Sequence, residues 1–328
     1  MNLKNLNYLA FIMRTFLITS WRFVMAFGLV ISVSCCSKEL DNSSELLPAN
    51  FATENVIVLI IDGPRFSETW GDATKSLTPH LHTNLRVKGV VNSNFYNLGN
   101  TQTISGHTAI TTGVYEEMNN NGLQYPENPS FMQHWLSVTK SNPNKAFVVS
   151  SKEKLKVLAN CSDLNWRNTY LPSVDAVNRE DSETFARVRS VIEEHHPNLM
   201  FINVKGPDIA GHLGDWEGYK KNITYCDSLL NELVTIIDTD SIYRGKTTLI
   251  MTNDHGRHSN GIADGFRSHS DNCLGCVHIN FYGYGPDFKS NVVIDKVREQ
   301  IDIVPTISHI MGMKLGQDRG KVMYEIFK

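Results

Sequence analysis

Three short runs in this chain are almost wholly apolar, and each delivers an aspartate at or just beyond its carboxyl end. Residues 55–61 (NVIVLII) lead into Asp62-Gly63-Pro64, and residues 198–204 (NLMFINV) into Lys205-Gly206-Pro207-Asp208. Residues 247–252 (TTLIMT) lead into Asn253-Asp254. A strand with one wet face alternates apolar and polar side chains, whereas continuous Val/Ile/Leu runs belong to parallel sheets covered on both faces. The expected fold class is therefore α/β, a three-layer sandwich around a mostly parallel central sheet. Open sheets of this kind collect ligands outside the carboxyl ends of their strands, so the three aspartates should converge on one site.

Two of these aspartates are accompanied by histidine, in Asp208-Ile209-Ala210-Gly211-His212 and in Asp254-His255-Gly256. Carboxylate plus imidazole suits zinc and related divalent ions. Two such pairs suggest two metals, and two metals suggest displacement at a phosphoryl centre. One Asp-His pair alone is more often a surface or capping cluster; the shared strand-end position favours ligands. Residues 100–113 (NTQTISGHTAITTG) form a hydroxyl-rich loop entering a short helix that stops at Gly113. A hydroxyl at a helix N-terminus feels the field of the orphan N–H groups, which favours an alkoxide and an incoming anion. Taken alone, such a hydroxyl is usually just a cap.

Together these segments resemble the alkaline phosphatase superfamily, in particular its nucleotide pyrophosphatase/phosphodiesterase branch. The ordered pieces are Ile61-Asp62-Gly63, Thr103-Ile104-Ser105-Gly106-His107 with Thr111 and Gly113 behind it, Asp208 to His212, Asp254-His255-Gly256, a later His, and Ile303-Val304-Pro305-Thr306-Ile307. They span residues 55 to about 312. The resemblance implies an alkaline-phosphatase-like fold and a zinc-dependent phosphoric ester hydrolase, either phosphodiesterase or phosphatase. It carries the nucleophile onto Thr103, four residues before His107. One metal would then be held by Asp62, Thr103, Asp254 and His255, the other by Asp208, His212 and a later histidine. His258 is too near His255 to reach the second site independently. His278 falls in the next apolar run, where the family often has a structural histidine, and His269 lies in the loop where the family places its ligand. The implied reaction is attack of Thr103 on phosphorus, then hydrolysis of a phosphothreonine, with both ions stabilising charge in the transition states. His107 is expected to brace the loop, and Asn100 or Asn94 to donate a hydrogen bond to the phosphoryl group. No separate general base is expected.

Departures from neighbouring families narrow the reaction. Sulfatases need a Cys/Ser-x-Pro-x-Arg box, which this loop lacks, so a sulfatase-like hydrolase is the less favoured variant. Cofactor-independent phosphoglycerate mutases use Ser and carry a large insertion after it; about a hundred residues separate His107 from Asp208 here. Ethanolamine-phosphate transferases place several membrane helices ahead of the catalytic domain, and no such set is expected in this chain. Hydrolysis of a small-molecule phosphate ester is the expected activity. The alternative of another class is a non-catalytic, metal-containing surface lipoprotein for glycan or partner binding.

The N-terminus suggests export. Residues 23–33 form an apolar stretch preceded by Arg14 and Arg22. It is shorter than the roughly 20 residues a bilayer span needs and has the length of a signal-peptide core. Ser34-Cys35-Cys36-Ser37 then reads as a lipoprotein cleavage box, with Cys35 or Cys36 lipidated. The expected organisation is a leader over residues 1–36, a polar tether over 37–52 and one catalytic domain over 53–328, anchored by lipid in the periplasm or outer membrane. In that compartment Cys273-Leu274-Gly275-Cys276 is expected to form a local disulfide, since a lone C-x-x-C has no second half-site in the sequence. Cys161 and Cys226 stay open between free and paired. Hydrophobic content of 41%, charged content of 20% and a net charge of −3 indicate an ordinary globular protein and speak against nucleic-acid binding. Amphipathic helices are expected over 183–194 and 219–237, and a closing helix over 301–311. Residues 118–144, rich in Asn and Pro, read as an irregular rim in which Tyr125, Phe131 and Trp135 serve either as core or as a stacking surface. His80, His82, His134, His195, His196 and His309 are expected at or near the surface without a carboxylate at ligand spacing.

Overall fold

The computed structural model describes residues 45–46, 50–316 and 319–328. The expected leader, and all of the tether except 45–46 and 50–52, lie outside the described residues. Nine strands form the main sheet: β1 (Asn55–Ile61), β2 (Val90–Tyr96), β3 (Ala146–Ser150), β4 (Ser173–Ala176), β5 (Leu199–Val204), β6 (Thr247–Thr252), β7 (His278–Tyr284), β8 (Val292–Ile294) and β9 (Arg298–Glu299). Their order is β9-β2-β7-β6-β1-β5-β3-β4, with β8 also pairing with β2. β7 runs antiparallel to β2 and β6; all other pairings are parallel. The three apolar runs are the adjacent strands β5, β1 and β6 at the centre of this sheet.

Strand geometry turns successive side chains to opposite faces, and both faces are covered. Val56, Val58 and Ile60 join a core built with α1 (Thr103–Thr112), α2 (Phe131–Thr139) and α7 (Ile303–Ile310). Ile57, Leu59 and Ile61 point the other way, into a core built with α3 (Asp181–His195) and α5 (Trp216–Thr239). Between α3 and α5 comes the short α4 (Gly206–Leu213), and α6 (Leu274–Val277) is a single turn before β7. The molecule is thus the expected α/β three-layer sandwich. Each fully buried Ile, Leu, Val or Phe side chain contributes roughly 1.5–3 kcal/mol, and the seven buried residues of β1 sit in the middle of that core. No helix among the described residues is long and apolar enough to cross a membrane.

The amphipathic helices extend beyond their expected bounds because their caps lie outside the apolar pattern. Glu180 forms a capping box with Glu183 ahead of α3, and the Asp215 side chain accepts from Gly218 N ahead of α5. Residues 118–144 need a correction. Their second half is α2, opened by a capping box between Ser130 and Gln133, with Phe131, Met132, Trp135 and Leu136 buried. Phe131 and Trp135 are therefore core residues rather than a stacking surface, whereas Tyr125 remains partly exposed.

Candidate metal centre

Register sets the first part of the site. Ile61 pairs with Val204 and Ile60 with Thr252, so β1, β5 and β6 end level. Asp62, Asp254 and His255 emerge there and are wholly buried. His255 Nε2 lies 3.2 Å from Asp254 Oδ2 and 3.7 Å from Asp62 Oδ1. His255 Nδ1 donates to Gly256 O at 2.8 Å, which aims the Nε2 lone pair into the cluster. Asp62 Oδ1, Asp254 Oδ2 and His255 Nε2 are all buried without a hydrogen-bond partner. Three converging orphan acceptors are costly unless a cation joins them.

The loop from β2 enters α1 at Thr103, and the helix stops at Gly113 with φ 73°. Thr103 is buried, and α1 presses onto the Asp254 backbone: a Cβ on Gly106 would stand 2.4 Å from Asp254 O. His107 ties this turn to the sheet. Its Nδ1 donates to Thr103 O at 2.8 Å and lies 3.2 Å from Asp254 Oδ2, while its Nε2 accepts from Asn203 Nδ2 at 3.0 Å.

The second part lies on α4, where Pro207 occupies the first turn and Gly214 ends the helix with φ 70°. Asp208 and His212 are one turn apart and meet at 3.2 Å. His269 brings its Nε2 to 3.2 Å from His212 Nε2 and 3.6 Å from Asp208 Oδ1. Its Nδ1 donates to Thr101 O at 2.7 Å. The rings of His255 and His269 stack with centroids 3.7 Å apart, joining the two parts. Donor atoms of Asp62, Asp254 and His255, and likewise of Asp208, His255 and His269, lie within 4.8 Å of one another. The structure therefore brings Asp62, Asp208, His212, Asp254, His255 and His269 together, with α1, the helix that begins at Thr103, packed against Asp254 through Gly106 and His107. His255 stands between the two groups rather than in one alone.

Three neighbours escaped the sequence analysis. Lys152 Nζ sits between the two parts, 2.8 Å from Asp62 Oδ2 and 2.6 Å from Asp208 Oδ2. Arg257 is fully buried, donates to Asp208 Oδ1 at 2.5 Å and is held by the carbonyls of Phe266 and Arg267. Asn203 reaches His107 from inside β5. Lys152 had a signal: residues 146–149 (AFVV) are a fourth apolar run, and Ser150-Ser151-Lys152 follows it. Asn203 and Arg257 had none, because a lone polar residue in a strand or beside a glycine has many uses.

Charge is unevenly distributed over the site. Burial works to raise the Asp208 carboxyl, but Lys152, His212, His255 and Arg257 outweigh it and hold it well below its ordinary value. Burial opposes the Lys152 ammonium too, and Asp62, Asp208 and Asp254 outweigh that. Asp254 is pushed up to about 6 by burial and by Asp62, with His107 and Lys152 opposing. Burial pulls His269 down to about 4 and His255 well below its usual range, so both imidazoles are neutral at pH 7, the form that binds metal.

Other expectations need correction. Asn94 donates to Asp295 O from within β2, and Asn100 braces the turn before α1 through Gln102 N and Glu117. His278, by contrast, has the structural surroundings expected of it: it bonds Ser93 O and stacks on Phe66 and Tyr96. His196 meets Asp240 at 3.0 Å and His195 lies 3.5 Å from Glu194, so these two do have carboxylate neighbours. His134 is buried in α2. Cys273 and Cys276 are free thiols, not the expected disulfide. Cys273 caps the single turn of α6, and Cys276 is buried beside His258 and Asp271. Cys161 and Cys226 are also free and buried.

The architecture is that of an alkaline-phosphatase-like metalloenzyme. The chain belongs to the Metalloenzyme superfamily, whose family model matches residues 43–315. Among curated proteins it is similar to a 2,3-bisphosphoglycerate-independent phosphoglycerate mutase of Gloeobacter violaceus, 26% identical over 128 residues. That stretch covers 38% of this chain and 23% of the mutase, so the chain spans about a quarter of that relative. Among solved structures it is similar to a phosphonate monoester hydrolase from Silicibacter pomeroyi, with a TM-score of 0.61, 13% identity and coverage of 83% of this chain and 76% of that one. It is also similar to murine ectonucleotide pyrophosphatase/phosphodiesterase 5, with a TM-score of 0.58, 16% identity and coverage of 84% of this chain and all of that one.

Proposed function

We propose that this chain is a two-metal phosphoric ester hydrolase that acts through Thr103 on small-molecule phosphate esters. The observation that carries the reading is the set of three buried, unpartnered donors, Asp62 Oδ1, Asp254 Oδ2 and His255 Nε2, beside the N-terminus of the helix that bears Thr103. These three donors fit a divalent ion: two carboxylate oxygens and one neutral imidazole nitrogen converge without competing hydrogen bonds, a set that favours zinc. Asp62, Thr103, Asp254 and His255 would hold one ion; Asp208, His212 and His269 would hold the other. When bound, such ions stabilise developing negative charge and bring a water's pKa towards about 7.

The chain's own residues do the rest. Thr103, fixed at the first position of α1, attacks phosphorus in line, and the leaving alcohol departs. The positive end of the α1 dipole faces the incoming anion. The hydrogen bond from His107 to Thr103 O sets the position of the nucleophile. Lys152 adds a positive charge between the two ligand groups. Hydrolysis of the resulting phosphothreonine frees Thr103. The mutase activity of the curated relative stays with that protein.

The test is hydrolysis of p-nitrophenyl phosphate and bis-p-nitrophenyl phosphate by zinc-loaded wild type and Thr103→Ala. The expected result is activity on at least one ester and a loss of about 10³-fold or more in the variant at unchanged fold. A wild type that binds metal and hydrolyses neither ester sinks the reading in favour of a binding-only surface protein. The proposal extends to export as a lipoprotein, with residues 1–36 as leader, 37–52 as tether and 53–328 as catalytic domain. Cell fractionation and fatty-acid labelling of Cys35→Ala and Cys36→Ala variants test that part.

A further inference from the structure

The excursion between β6 and β7 carries a second cluster that the hydrolase reading does not use. Donor atoms of His258, Asp271 and Cys276 lie within 4.8 Å of one another. His258 Nε2 is 3.3 Å from Asp271 Oδ2, and both His258 and Cys276 are buried. On its far side, His258 Nδ1 lies 3.2 Å from Asp264 Oδ1 and 3.1 Å from Ser268 Oγ. A histidine that meets a carboxylate through one ring nitrogen and a donor cluster through the other has the arrangement found around protein-bound metals. Cys273 N donates to Asp271 Oδ1 at 3.0 Å, which ties the start of the Cys273-x-x-Cys276 turn to this cluster.

The backbone holds these groups in place. Gly256 N donates to Cys276 O at 2.7 Å, Arg257 N to Gly275 O at 2.9 Å and His258 N to Ser268 O at 2.9 Å. The two segments are so close that a Cβ on Gly256 would stand 2.0 Å from Gly275 O. In sequence, Cys273-x-x-Cys276 lacks a second half-site; in space, His258 and Asp271 supply it.

We propose that His258, Asp271, Cys273 and Cys276 form a third metal site, for zinc or a similar borderline-soft divalent ion. Thiolate, imidazole and carboxylate donors select that class over magnesium or calcium. Each ligating thiol releases its proton to solvent and its sulfur donates a lone pair to the ion, with no change of oxidation state. The site clamps the loop between residues 258 and 276, which carries His269. The third site stands independently of the proposed catalytic pair, and its positioning role rests on His269 being a ligand there.

The experiment uses the full chain, stripped with chelator under reductant and reloaded with Co²⁺. Thiolate bound to cobalt gives a near-ultraviolet charge-transfer band, and none of Asp62, Thr103, Asp208, His212, Asp254, His255 or His269 contains sulfur. The band is expected in wild type and in Thr103→Ala, and lost in Cys276→Ser. His258→Gln should bind one metal equivalent fewer. Thermal unfolding establishes that each variant is folded, and Cys273→Ser provides a second thiol variant with a weakened band. Absence of the band in reduced wild type overturns the proposal, as does a band unchanged by both Cys276→Ser and Cys273→Ser. Failure of the catalytic pair alone would look different: one bound equivalent with the sulfur band intact.

Discussion

At the scale of single residues, Lys152 decides the electrostatics of the metal-free site. Asp62, Asp208 and Asp254 converge in a region closed to water, and the Lys152 ammonium bridges two of them at 2.8 and 2.6 Å. Removing one partner of a buried ion pair leaves uncompensated charge and typically costs about 3–5 kcal/mol. Lys152→Met should therefore destabilise the chelator-treated protein by roughly that amount, read as a lower midpoint in denaturant unfolding. Divalent ions bound by the same carboxylates supply the missing positive charge, so zinc should restore most of the loss. A variant equally destabilised with and without zinc would show that Lys152 acts through packing instead. Metal removal from wild type should itself lower stability, by about 2.7 kcal/mol when the free metal had stood at a hundred times its dissociation constant.

At the scale of elements, α1 is placed by contact between backbones. Gly106 lets the helix approach Asp254 O, and an added Cβ would have to fit 2.4 Å from that oxygen. Neither the strand end nor the helix can give cheaply, so Gly106→Ala should push Thr103 off its position. Misplacement of a reacting group by about 1 Å can cost 10²-fold in rate, so kcat should fall about 100-fold while zinc binding persists. Unchanged kcat would show that α1 has slack. This helix was legible in the sequence because Gly113 ends it and the hydroxyls begin it. The three central strands were legible because burial on both faces leaves a continuous apolar run. α2 was not: its nine residues sit among Asn and Pro, although Ser130 and Gln133 carried its capping signature. The run ahead of Lys152 was visible, but the roles of Lys152 and of the His258–Cys276 cluster were hidden for another reason. Their partners lie far off in sequence or across a loop, and pairing of that kind is set by tertiary packing, not by local pattern.

At the scale of the whole molecule, the sandwich buries a titratable group away from the metal centre, and this ties global stability to pH. His134 lies in α2, where burial lowers its pKa to about 4 from an ordinary value of 6.5. The folded state thus resists the protonation that the unfolded chain accepts. A depressed folded pKa contributes stability that is fully present above about 6.5 and is lost as pH falls through about 4. A shift of this size corresponds to about 3 kcal/mol. Other groups titrate in the same window, Asp254 and His269 among them, so the wild-type profile alone does not isolate His134. The difference between wild type and His134→Phe does, because the other groups are common to both. In denaturant unfolding of the metal-free proteins, the wild type should lose about 3 kcal/mol more than the variant between pH 7 and pH 4. Parallel profiles would mean that folding leaves the proton affinity of His134 at its ordinary value.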